Sequence, residues 1–360
     1  MAIKHDEVSV ALMECAQLRV DVPQDLEASR VVRLLLRLFD AFPALTPARF
    51  NPFDPVRTPY TRQAFEQLVQ HEHIDRHLML RGPGKRGALA HSLQRMAGTG
   101  REAWIYHFDL KVVSWNAIEG AADIITELPI SLASLHVVSA TERVFCKQVG
   151  AGEDHCGGFS FHMQSPGRLA FGLPTLAWRT YFGPMYIRHF GKERLLSAPA
   201  YAVREVHPDV ISIQLTESIN AIDTDWDRFH ATRQAVIAHL GAESFQRVRG
   251  PSDPPSMGEL DRNGVPGTSI PSELVPLRKQ LEEQFERERL PKPPAIQSLD
   301  EMVADAKRFR VVELKSGKKD ASIVVVDTAR EEMIGFADDA MRDEYVKKLL
   351  HAGAEFKKLG

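Results

Sequence analysis

The sequence predicts an α+β fold: a mainly antiparallel sheet flanked by helices, with a small C-terminal β-hairpin-plus-helix extension. Three observations predict it. Trp104, Tyr106, Phe108, Leu110 and Val112 alternate with Ile105, His107, Asp109 and Lys111, a period of two that describes a strand with one buried and one mostly polar face. Tyr201–Val206 and Val210–Leu215 flank His207-Pro208-Asp209, a strand–turn–strand pattern. Helical spacing recurs over 24–40, 61–80 and 225–240. The expected sheet is built from 104–113, 159–172 and 201–215.

The chain has 360 residues, long enough to bury a large core without disulfides or metal. Hydrophobic residues make up 44% and charged residues 26%, the ordinary globular range. A formal charge of -3 argues against nonspecific nucleic-acid binding, which needs a clustered cationic excess. The three cysteines, Cys15, Cys146 and Cys156, fit no zinc or redox spacing. The opening residues, MAIKHDEV, are charged, so no secretory leader is expected. No apolar run approaches the ~18 residues of a membrane span. These features make a soluble cytoplasmic protein the expectation.

Taken in order, residues 4–22 fit either a strand pair or a short helix. Gln24–Asp40 reads as a helix, with Val32, Leu35, Leu36 and Phe39 on one side and Pro43 as a stop. TPARFNPFDPVRTPY carries four prolines and reads as a loop. A second helix is expected over Thr61–Leu80, and another over Ala88–Met96 after the turn RGPGKRG. The stretch 124–140 reads as a helix or loop, then a strand at Leu135–Val138. Phe159–Met163 and Arg168–Gly172 read as a hairpin about Gln164-Ser-Pro-Gly. Thr175–Phe190 reads as a helix broken at Gly183-Pro184, with Pro184 opening a new turn. Its aromatics, Trp178, Tyr181, Phe182, Tyr186 and Phe190, read as core.

The expected organisation is an α+β domain over 1–249, a Pro-rich linker and charged helix over 250–296, and a small unit over 297–360 docked on the main body. In that last unit, Phe309–Leu314 and Ser322–Val326 read as strands, and Met341–Leu359 as a final helix.

No segment carries a strong catalytic motif. His73 and His77 stand four apart on one helical face, but lack a third ligand nearby. RGPGKRG lacks the Walker spacing, and Arg86 stands where that loop needs Ser or Thr. His155 beside Cys156 is poor evidence for a nucleophile–base pair, because sequence neighbours point apart. Asp223, Asp225 and Asp227 lie within five residues at a helix start. Such a cluster caps a helix or, alternatively, holds a divalent cation. No cofactor and no metal are expected.

WRTYFGPMYIRHFG (178–191), VISIQL (210–215) and DTDWDRF (223–229) resemble bacterial polymorphic-toxin immunity proteins, including those of type VI secretion systems. The resemblance covers roughly 100–245 and implies an α+β cytoplasmic protein that binds and blocks a cognate secreted toxin, often a nuclease. It transfers no catalytic residue. Under this reading Glu217, Asp223, Asp225 and Asp227 are the expected partner-binding groups, their carboxylates mimicking phosphate to a basic cleft. Two other readings stay open: a metal- or Cys/His-dependent enzyme, and a structural or adaptor component of a secretion or phage-like system.

Overall fold

The computed structural model describes residues 15–23, 26–51, 56–67, 78–82, 89–95, 101–137, 139–142, 144, 166–248, 252, 264–289, 298–316, 320–330, 332–334, 336 and 339–359. The fold is α+β, and its contacts divide the chain into two units at Phe285/Glu286.

The first unit begins with β1 (Cys15–Pro23), so the ambiguous N-terminal stretch is strand where it is described. Helix α1 (Ala28–Ala41) follows, burying Val31, Val32, Leu35, Leu38 and Phe39 at helical spacing. The proline-rich stretch expected as loop contributes two short strands, β2 (Arg49–Asn51) and β3 (Thr58–Pro59). Helix α2 (Arg62–Glu66) is short, with Thr61 capping it through the Ala64 N–H. Phe39, Phe50, Tyr60 and Phe65 interlock as an aromatic cluster around it, with ring centroids 5.4–6.4 Å apart. The helix expected over Thr61–Leu80 therefore stops early: Leu80 already lies in β4 (Met79–Arg81).

The helix expected over Ala88–Met96 is instead β5 (Leu89–Arg95), which pairs with β6 (Arg101–Asp109) from Leu89↔Phe108 to Arg95↔Glu102. Long-range backbone pairing overrides the weak local helix pattern there. β6 ends at Asp109, so Leu110 and Val112 are exposed, not part of a buried face. Helix α3 (Trp115–Ile125), capped by Ser114, leads to β7 (Leu132–Val137).

Next comes α4 (Pro166–Leu169), a helical turn where a strand was expected at Arg168–Gly172. The other arm of that hairpin, Phe159–Met163, lies outside the described residues. Residues 179–182, expected as helix, form β8 (Arg179–Phe182), because they sit between two pairing partners. Gly183-Pro184 does open a new helix, α5 (Pro184–Phe190), followed by α6 (Lys192–Leu196). The expected hairpin is present as β9 (Ala202–His207) and β10 (Val210–Gln214). Helices α7 (Ala221–Thr224) and α8 (Trp226–Leu240) follow, then the two-stranded pair β11 (Arg247–Val248) and β12 (Gly264–Val265). The charged helix α9 (Val275–Arg289) contributes Leu277, Leu281 and Phe285 to the first unit's core, beside Leu274 just before it.

Ten strands form one sheet in the order β3-β2-β4-β5-β6-β1-β7-β8-β10-β9, and every pairing in it is antiparallel. β1 sits inside it, with Leu18 opposite both Tyr106 and Leu135, and Gln17 opposite both His107 and His136. Ala16, Leu18, Val20 and Val22 join the apolar core, and the alternate residues Gln17, Arg19 and Asp21 are buried as well. Along β10, Ser212 and Gln214 are buried beside Ile211 and Ile213, where one polar face was expected. Both faces are covered, which alternation along a single strand does not reveal. Trp178, Tyr181, Phe182, Tyr186 and Phe190 are all buried, as read from the sequence.

The second unit holds α10 (Leu299–Ala304), β13 (Phe309–Ser316), β14 (Asp320–Asp327), β15 (Glu332–Ile334), α11 (Asp339–His351) and β16 (Glu355–Leu359). Its sheet order is β15-β14-β13-β16, with β16 parallel to β13. The final helix ends earlier than its pattern suggests. Gly353 turns the chain at φ 99°, a conformation glycine adopts without strain, and 355–359 become strand. Met302, Phe309, Val311, Val325, Val346 and Leu349 form a core of this unit's own.

Gly183 is held by close approach. A Cβ there would lie 1.9 Å from the Ile130 carbonyl oxygen, and the Gly183 N–H donates to Ser131 O at 2.9 Å. Backbone cannot step aside as a flexible side chain does. Gly183→Ala is expected to lower stability by about 2–4 kcal/mol, read as a lower denaturant midpoint with an unchanged slope.

Candidate functional site

The sequence DTDWDRF lies where β10 hands over to α8. Asp223 belongs to α7, Asp225 breaks the backbone between the helices at φ -148°, and Asp227 stands in the first turn of α8. Glu217, Asp223, Asp225 and Asp227 are all exposed by residue. Asp225 occupies the N-cap position of α8, yet its side chain makes no capping bond.

The cap is elsewhere. Residues 140–142 are helical, and Ser139 stands at the start, its Oγ accepting the Glu142 N–H at 3.1 Å. Asp223 Oδ1 reaches the same turn, accepting the Ser139 hydroxyl and the Thr141 N–H (3.2 Å). Asp223 thus caps the turn at Ser139, 84 residues away in sequence, rather than its own helix.

Beneath that turn lies a buried charged network. Glu142, 3% exposed, places Oε2 2.7 Å from His136 Nε2. Arg233 of α8 forms an ion pair with Oε1 at 2.8 Å. His136 Nδ1 accepts the Trp178 backbone N–H at 3.0 Å. That pattern assigns the proton of the neutral ring to Nε2, which donates to Glu142. The Arg233 guanidinium lies over the rings of Phe229 (4.5 Å) and Trp226 (5.9 Å). Trp226 stacks on His230 at 5.4 Å, and burial first, then Arg233, hold His230 below its ordinary value. Burial alone would raise the Glu142 carboxyl, but Arg233, then His136, outweigh it and hold it at about 2.

A second buried cation is neutralised at the other face of β8. Arg179, fully buried, lies 2.9 Å from Asp123 and 3.5 Å from Glu119, one turn apart on α3. Its guanidinium covers the Tyr181 ring at 4.8 Å, and the Tyr181 hydroxyl donates to Asp123 at 3.3 Å.

Both ring nitrogens of His136 and both oxygens of Glu142 are engaged by neighbours, so this network holds structure and offers no free base. Among the described residues, no group of three or more His, Cys, Asp or Glu is placed to hold a metal ion. His73, His77, Lys85, His155 and Cys156 lie outside the described residues. At this junction, Glu217, Asp225 and Asp227 make no side-chain hydrogen bond or ion pair among the described residues. They can accept hydrogen bonds from cationic groups of a partner.

His136, Ser139, Glu142 and Arg233 did not stand out in the sequence. Ser139-Ala-Thr-Glu142 does follow the S-x-x-E capping pattern, a signal for a helix start. In the structure Ser139 plays its part, while Glu142 turns into the core instead of back to the cap.

No family model matches this chain, and no curated protein matches it. One solved structure is similar: a Pseudomonas aeruginosa T6SS protein, 12% identical, with 79% of this chain and 88% of that chain covered at a TM-score of 0.42. A likeness of this degree assigns neither family nor function. Among the described residues, no helix is long and apolar enough to cross a membrane.

The depressed Glu142 carboxyl ties stability to pH. Its folded value lies below the ordinary 4.5, so its contribution is present above 4.5 and is lost as pH falls towards about 2. Glu142→Gln is expected to destabilise by about 3–5 kcal/mol at neutral pH, since it removes the charge facing a buried arginine. Urea midpoints of the two proteins, measured from pH 6 to pH 2, should converge as the wild-type carboxylate protonates. A gap that stays constant over that range contradicts the assignment.

Proposed function

We propose that the protein is a cytoplasmic immunity protein that binds and neutralises a cognate secreted toxin. It acts by binding a basic surface of that toxin, without covalent chemistry and without a resident metal. The observation that carries this reading is the arrangement at the β10–α8 junction. Glu217, Asp225 and Asp227 are exposed carboxylates with no side-chain partner of their own, on a segment fixed from below by Asp223 and Arg233. An inhibitor benefits from such a surface, since preformed geometry limits the ordering cost of association. Acidic groups facing a cationic cleft steer encounter and slow release.

The resemblance of 178–191, 210–215 and 223–229 to immunity proteins supports the same reading. In the fold these stretches are neighbours: β8 pairs with β10, from which the chain continues through α7 into α8.

Asp225→Asn with Asp227→Asn keeps side-chain size and removes charge. Neither residue makes a side-chain cap bond in the free chain, so the melting temperature is expected to stay within about 2 °C. Affinity for the cognate toxin is expected to fall at least tenfold, and the remaining binding to depend less on salt. The measurement is titration calorimetry at several salt concentrations against secreted toxins of the same genome, alongside protection of cells expressing them. Protection that survives the double substitution at full affinity removes this face from the proposal. A protein that neither binds nor protects against any of them refutes the immunity role.

A further inference from the structure

Two segments far apart in the chain hold one another at this junction by two separate links. The first is Asp223, which accepts the Ser139 hydroxyl and the Thr141 N–H. The second is Glu142, whose carboxylate meets Arg233 at 2.8 Å and His136 at 2.7 Å. The links share a middle: the Ser139 Oγ that donates to Asp223 also accepts the Glu142 N–H. Arg233 in turn lies over Phe229 and Trp226, the inner side of the α8 turns that carry Asp225 and Asp227 outward.

We propose that Glu142 is the positioning residue of the acidic face. Its buried carboxylate fixes α7 and the first turns of α8 on residues 139–142, so that the two segments open and close as one unit. For its consequence in toxin binding this rests on the proposed function; the coupling itself is a property of the free chain. Coupling of this kind is reciprocal. A partner seated on Asp225 and Asp227 must protect the amides of 140–142, and displacement of 139–142 must weaken the partner's binding by the same factor.

Hydrogen exchange of the full-length chain tests the coupling without any partner. Glu142→Gln keeps an acceptor for His136 and removes the charge facing Arg233. It is expected to speed exchange at 140–142 and at 226–233 together, by at least about tenfold, with β13 and β14 unchanged. Ser139→Ala removes the shared hydroxyl, leaves every charge in place, and is expected to speed the same two segments by a smaller factor. It decides the matter if Glu142→Gln fails to fold. Exchange that rises in one segment alone, in neither, or uniformly across the first unit in Ser139→Ala overturns the proposal.

With a toxin in hand, Glu142→Gln should raise Kd while preserving its salt dependence, whereas the Asp225/Asp227 substitutions raise Kd and weaken that dependence. If the wild type binds no toxin yet the two segments still exchange together, the immunity reading fails and the coupling stands.

Discussion

Charges buried against the sheet must be neutralised where they stand, and this requirement organises the first unit. The central strands β1, β7, β8 and β10 are covered on both faces, so polar residues that a one-sided sheet would hand to water are enclosed. An isolated ion in that setting costs several kcal/mol. Glu142 is therefore met by Arg233 and His136, and Arg179 by Asp123 and Glu119. The Glu142–Arg233 and Arg179–Asp123 pairs join elements remote in sequence. Neutralising the charge thus also specifies which helix packs on which strand.

The same requirement shapes the surface. Arg233 is drawn inward to Glu142, and Asp223 is drawn onto the turn at 139–142, which leaves Glu217, Asp225 and Asp227 facing outward. The acidic face is the remainder of a charged segment whose other members are engaged within the fold. Its mount is stiff because aromatic rings fill the space beneath it: Phe229 lies against His136 at 6.2 Å and Trp226 against Phe229 at 5.7 Å.

Much of the fold was legible where pattern and punctuation agree. α1 shows apolar spacing and a proline stop, β9–β10 has a turn insert between strands, and Gly183-Pro184 opens α5. Errors arose where pairing decides. Residues 89–95 have helix-like composition, and 179–182 fall within a stretch of helical spacing, yet each lies between strands that complete its ladder. For the site, the cluster Asp223–Asp227 was visible as a place where helix capping and binding compete. Its division of labour was not: Asp223 caps a distant turn, and Asp225 caps nothing.

What the sequence by itself determined was local: the α+β class, the helices over 28–41 and 226–240, the turn at 207–209, the aromatic core of 178–190, and the acidic step before α8. Each follows from periodicity, backbone restrictions of Gly and Pro, or side-chain polarity, all of which act over a few residues. Only the tertiary structure decided which strands pair, that both sheet faces are buried, and that Glu142 belongs to Arg233 and His136 while Asp223 belongs to Ser139. Those outcomes depend on contacts between residues remote in sequence, such as Ala16 opposite Val137 and the Glu142–Arg233 pair. Their energy comes from burying apolar area and charge together, a quantity that exists only once the chain has closed on itself.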